Sequence, residues 1–172
     1  MKFLNKVLQN CTPYNTLCGD IKKGYLPVLA TGLAHIHKAL ICAAIIKESD
    51  RKQIVITPDE ASAVSLINDL NSLGVSAINF PVRDFCLNDM SGRSREYEHS
   101  RLDTLSKLLD GAFQVLCLSV EAACQLTVPP EILRDNIVTL SVGEECVLES
   151  LSDNLLNMGY TRTEQVEGKG QF

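Results

Sequence analysis

Apolar residues along this chain fall into short runs separated by amphipathic stretches. Five runs, at residues 26–30, 53–57, 75–79, 114–119 and 137–141, have the length and composition of strands. Helical periodicity lies between them. In residues 59–73, Val64, Ile67, Leu70 and Leu73 recur at steps of three and mark one helix face. Thr57 is placed as the N-cap, Pro58 as the first helical residue and Glu60 as the closing residue of a capping box, with Gly74 as the stop. Residues 94–109 carry Arg101, Leu102, Leu105, Leu108 and Leu109 before Gly111. Residues 147–158 carry Leu148, Leu151, Leu155 and Met158 before Gly159. Residues 40–46 add a strongly apolar helical stretch. Strands alternating with helices predict an α/β domain whose sheet is mainly parallel. Residues 80–93 form a long irregular connection, a length often tied to function. Residues 160–166 read as one more strand, and the turn and Phe172 after it suggest a fragment of a longer protein. No internal repeat or low-complexity tract is visible.

Composition narrows the function classes. With 172 residues and 45% hydrophobic content, the chain has enough apolar material for one ordinary domain or one domain plus a fragment. The net charge of −5 disfavours phosphate-backbone binding as its main task. Seven cysteines, an odd number with no C-x-x-C pair, predict free thiols and a cytoplasmic location. Cys42 and Cys117 sit in apolar runs and read as small core residues. No secretory signal or apolar stretch of membrane-spanning length is present.

The stretch ATGLAHIHKALI, residues 30–41, carries candidate chemistry. An apolar run, a glycine, a lysine and a helix form the layout of a phosphate-binding loop, G-x-x-x-x-G-K-S/T. The glycines turn the backbone so that its N–H groups face phosphate, the lysine reaches the terminal phosphates, and the hydroxyl holds magnesium. In register, Gly32 and Lys38 are retained, His37 replaces the second glycine and Ala39 replaces the hydroxyl. The magnesium ligand is gone. An NTPase also needs an acid at a strand end. Glu121 follows one strand without a paired Asp-Glu, and Asp59 and Glu60 read as helix-start residues. No catalytic residue, nucleotide site or metal site is therefore expected. His35 and His37 point to nearly opposite helix faces, which disfavours a shared metal ion. Two readings stay open beside this one: a solvated Lys38 at a plain helix start, and a weak nucleotide-binding loop in which Lys38 still works. A third, a DNA-binding surface at Arg93, Arg95 and Arg101, is set against Glu96, Glu98 and Asp103, whose interleaving reads more simply as a solvated helix face with ion pairs. Arg83 and Asp84 read as a loop-stabilising pair or as part of an interface.

The order of five stretches resembles the N-terminal, UvrB-like module of the bacterial transcription-repair coupling factors (Mfd). They are the edited loop with its helix; IVITPDEASAVSLINDL at 54–70; the Phe80-Pro81-x-Arg83-Asp84 opening that leads to Arg101-Leu102; QVLCLSVEAACQLTVPPEIL at 114–133; and, within 137–172, VGEE, the Gly159-Tyr160-x-Arg162 step and the QVE-x-x-G-x-F ending at Phe172. The resemblance implies a RecA-like, P-loop NTPase-type subdomain over residues 1–136 and the beginning of a second, α+β, UvrA-binding domain over 137–172. It implies a non-catalytic scaffold that links stalled RNA polymerase to nucleotide excision repair through UvrA. ATP and magnesium would belong to a translocase motor elsewhere in the family's full-length proteins, as would contacts to RNA polymerase and DNA. The family's UvrA-contact positions would lie beyond Phe172. UvrB's damage-sensing hairpin does not carry over, because the connection after Pro81 is too short and lacks tyrosines.

Overall fold

A computed structural model describes residues 2–49, 51–83 and 96–172. Three helices come first: α1 (Lys2–Gln9), α2 (Thr12–Lys23) and α3 (His35–Ser49). Then come β1 (Gln53–Thr57), α4 (Glu60–Ser72), β2 (Ala77–Phe80), α5 (Glu96–Asp110), β3 (Val115–Ser119), α6 (Val120–Ala123), α7 (Pro130–Asp135) and α8 (Leu148–Asn157). The strands form one parallel sheet in the order β1-β3-β2. The chain is thus an α/β fold, a small parallel sheet flanked by helices.

Strand alternation divides the core. Val115 and Cys117 of β3 face one side and join Ala39, Ala43 and Ile46 of α3 and Ala63, Leu66, Ile67 and Leu70 of α4. Leu116 and Leu118 face the other side and join Phe80, with Leu105 and Leu108 of α5 packed against them. A strand buried on both faces reads as a continuous apolar run, as β3 does. β1 is different. Ile54 and Ile56 pair with Leu116 and Leu118 yet remain 68% and 58% exposed.

Local chemistry sets the element ends. Asp59, not Thr57, caps α4: its carboxylate accepts from the Ser62 amide at 2.7 Å. Thr57 is buried, and its hydroxyl donates to Asp59 O at 2.8 Å and Leu118 O at 3.3 Å, tying the end of β1 to the start of α4 and to β3. At the other end Gly74 adopts φ 71°, Gly74 N donates to Asn71 O at 2.9 Å and Val75 N to Leu70 O at 3.0 Å. This is a Schellman stop, and it consumes the Val75 amide. β2 therefore starts at Ala77 instead of Val75. The buried face of α4 is Ala63, Leu66, Ile67 and Leu70, while Val64 is 44% exposed.

Two expected strands do not form. Residues 25–31 form no strand, and Leu29 is 87% exposed. Residues 137–141 likewise find no partner strand among the described residues. An apolar run becomes a strand only when another strand satisfies its backbone groups. The strand expected at 160–166 reduces to one bridge, Thr161 with Gln171. Along the described chain the last buried residue is Ala122, so α7 and α8 bury no residue.

Candidate functional site

The edited loop lies between α2 and α3. Gly32 has φ 76°, a left-handed conformation that an L side chain adopts only with strain, although open space surrounds the position of an added Cβ. The Ala34 carbonyl accepts from the amides of His37 at 3.0 Å and Lys38 at 3.3 Å, so Ala34 is the N-cap residue of α3 and His37 its third helical residue. The Ala34 amide in turn donates to His37 Nδ1 at 3.3 Å. This is the back-reach that a glutamate makes in a capping box, performed here by an imidazole. The histidine at the position of the pattern's second glycine thus takes up a backbone donor that a phosphate-binding loop would offer to phosphate.

Ala39 is fully buried, at 0% exposure, in the α3–α4 core. The position that would carry the magnesium-binding hydroxyl faces side chains of α4 instead of solvent. Lys38, next to it, is exposed. His35 turns away from the loop: its Nε2 lies 3.1 Å from Ser65 Oγ and 3.3 Å from Asp69 Oδ2, both on α4. The two histidines therefore address different partners. Beside the loop, the Tyr14 hydroxyl donates to Glu48 at 2.9 Å, and burial, then bonding to Cys18 and Glu48, pushes its phenol well up.

A second polar cluster lies at the C-terminal end of β2. Arg101 is 6% exposed, which corrects its expected place on a solvated helix face. Its guanidinium stacks on the Phe80 ring, 4.0 Å from the centroid. Nη1 donates to Pro81 O at 2.6 Å and Gln125 Oε1 at 3.0 Å, while Nη2 is buried without a partner. Burial, and then the Arg83 charge, hold the Arg101 pKa below the usual arginine range. Gln125 also brackets the Arg83 backbone, accepting from its amide at 2.7 Å and donating to its carbonyl at 3.1 Å. Arg83 pairs with Glu98 at 3.5 Å, and Lys107 with Asp103 at 2.6 Å. Asp84, Arg93 and Arg95 lie outside the described residues. The sequence reading did not single out Gln125.

Burial holds the Cys117 thiol up, reinforced by Cys42, to about 12. Burial also raises Cys42. Both thiols are therefore poor nucleophiles at neutral pH. Among the described residues, no helix is long and apolar enough to cross a membrane.

No described protein-family profile matches the chain. Individual proteins do. The chain is 22% identical over 174 residues to the transcription-repair-coupling factor of Bacillus subtilis, covering 100% of this chain and 15% of that protein. It is 28% identical over 151 residues to that of Staphylococcus haemolyticus and 26% to that of Staphylococcus aureus, covering 87% of this chain and 13% of each. Along most or all of its length, then, the chain resembles a part, 13–15%, of a transcription-repair-coupling factor.

Proposed function

We propose that this chain acts as a non-catalytic, protein-binding module in transcription-coupled repair, joining stalled RNA polymerase to nucleotide excision repair by recruiting UvrA. The similarity to transcription-repair-coupling factors supports the setting. The absence of chemistry rests on one observation above all. The loop that would hold a nucleotide has its Ala34 amide taken by His37 and its hydroxyl position filled by a buried Ala39. An anion arriving there would find one donor fewer and no metal ligand. In this reading residues 1–136 form a RecA-like subdomain with a dead phosphate loop, residues 137–172 belong to a UvrA-binding second domain, and no cofactor is needed. ATP, magnesium, DNA and RNA polymerase would be engaged by other parts of a full coupling factor.

Two titrations test this. Calorimetry with ATP and magnesium is expected to give no saturable heat. Micromolar binding that Lys38→Ala abolishes would establish a working nucleotide site and end the dead-loop reading. Because the family's UvrA-contact positions would lie beyond Phe172, interferometry of purified UvrA against this chain extended through a complete second domain tests the scaffold role. Saturable binding supports it, and none at micromolar UvrA overturns it.

A further inference from the structure

A pocket of about 660 Å³ opens between the α1–α2 pair, the loop ahead of α3 and the first turns of α3. That size suits a small organic molecule. Leu8, Leu17, Val28, Leu33, Leu40 and Ile41 make its walls apolar. Its charge pattern is one-sided. Asp20 lines it, and among the described residues no lysine or arginine does, although Lys38 is the immediate neighbour of the lining residue His37. The Asp20 side chain is half-buried and makes no hydrogen bond or ion pair among the described residues. His37 Nδ1 is already engaged by the Ala34 amide.

An anion entering this pocket would meet an uncompensated carboxylate and apolar walls. A cation with an apolar body would bury that body and neutralise the acid. We propose that the pocket binds a small apolar ligand carrying a protonated amine, the amine seated at Asp20 and the apolar part against Leu33, Leu40 and Ile41. The inference is independent of UvrA recruitment. A phosphate-bearing ligand is the occupant it argues against.

Three fluorophores with one apolar body test it: diphenylhexatriene, its trimethylammonium derivative and its propionate derivative, each titrated into the full chain below its aggregation concentration. Saturable one-to-one binding is expected, with the trimethylammonium probe tightest and the propionate weakest. Asp20→Asn should weaken the cationic probe by about three- to fivefold, the scale of one partly exposed charge pair, and leave the neutral probe unchanged. Leu33→Trp should fill the pocket and abolish binding of all three, with far-UV circular dichroism confirming that the variant is folded. If Leu33→Trp does not fold, the Asp20→Asn ranking decides alone. Absence of saturable binding, a propionate probe that binds as tightly as the cation, or full binding by a folded Leu33→Trp variant would each overturn the proposal.

Discussion

Placing threonine at Ala39 supplies the hydroxyl that the phosphate-binding pattern has at this position, and the structure makes that substitution costly. Ala39 is fully buried among Ala43, Ala63 and Leu66, where α3 meets α4 on small side chains. Threonine adds a methyl and a hydroxyl at that contact. Overpacking of this kind costs about 1–3 kcal/mol. The loss of helix propensity from alanine to a β-branched residue adds roughly 0.5 kcal/mol. The hydroxyl itself is cheaper to accommodate, because on a helix it can donate to the carbonyl four residues back, here that of His35. The sum is about 2.5 kcal/mol. With a denaturant slope of about 1–3 kcal/mol per molar urea, the unfolding midpoint should fall by about 1 M, read from the helical circular dichroism signal. Ala39→Ser, which lacks the methyl, should fall by about half as much. A threonine variant with the wild-type midpoint would refute the packing argument. It would mean that the α3–α4 contact accommodates a larger side chain at this position.

Two further outcomes follow from local chemistry. The Ser62 backbone amide, and then its hydroxyl, hold the Asp59 carboxyl below the usual carboxylate range. A depressed folded-state pKa contributes stability above the unfolded value, near 3.9 for an ordinary aspartate, and that stability is lost as pH falls through the folded pKa. The melting-temperature difference between wild type and Asp59→Asn should therefore shrink below about pH 4, and a difference that stays constant from pH 7 to pH 3 would remove Asp59 from that role. At pH 8, iodoacetamide should label the exposed Cys11, Cys124 and Cys146 in the native chain and reach Cys117 only in urea. Peptide mass spectrometry showing Cys117 modified as fast as Cys124 would contradict its burial.

Much of the central sheet was legible in the sequence. Its β1 runs over the predicted residues 53–57, and β3 loses only Gln114. β3 buries apolar residues on both faces, and β1 packs only the partly buried Val55 against the helices, whose periodicity is equally plain. The helix stop at Gly74 was read correctly, yet the neighbouring strand start was not, because the Schellman bond from Val75 to Leu70 is invisible until the turn is built. The cap of α4 shifted from Thr57 to Asp59 because Thr57 has a competing use between β1 and β3. The runs at 26–30 and 137–141 failed as strands for want of partners, a property of the whole fold and not of either run. At the loop, the departures of His37 and Ala39 from the phosphate-binding pattern are plain in the letters. What His37 and Ala39 do instead is not, since a back-reaching imidazole and a buried methyl depend on where α3 begins and what it packs on. Arg101 misled for a related reason. Among charged neighbours it looked solvated, while the Phe80 ring and the Pro81 carbonyl draw it inward.

The uncovered flank of β1 has a practical consequence for anyone handling this chain. Ile54, Val55 and Ile56 form a β-branched run without charge on a strand that, among the described residues, pairs on one side only, with β3. Its outer edge offers unmet backbone donors and acceptors, and Ile54 and Ile56 add greasy contact beside them. Such edges template pairing between molecules. A single lysine at Ile54 or Ile56 is therefore expected to raise the solubility of the isolated chain, since neither side chain belongs to either core.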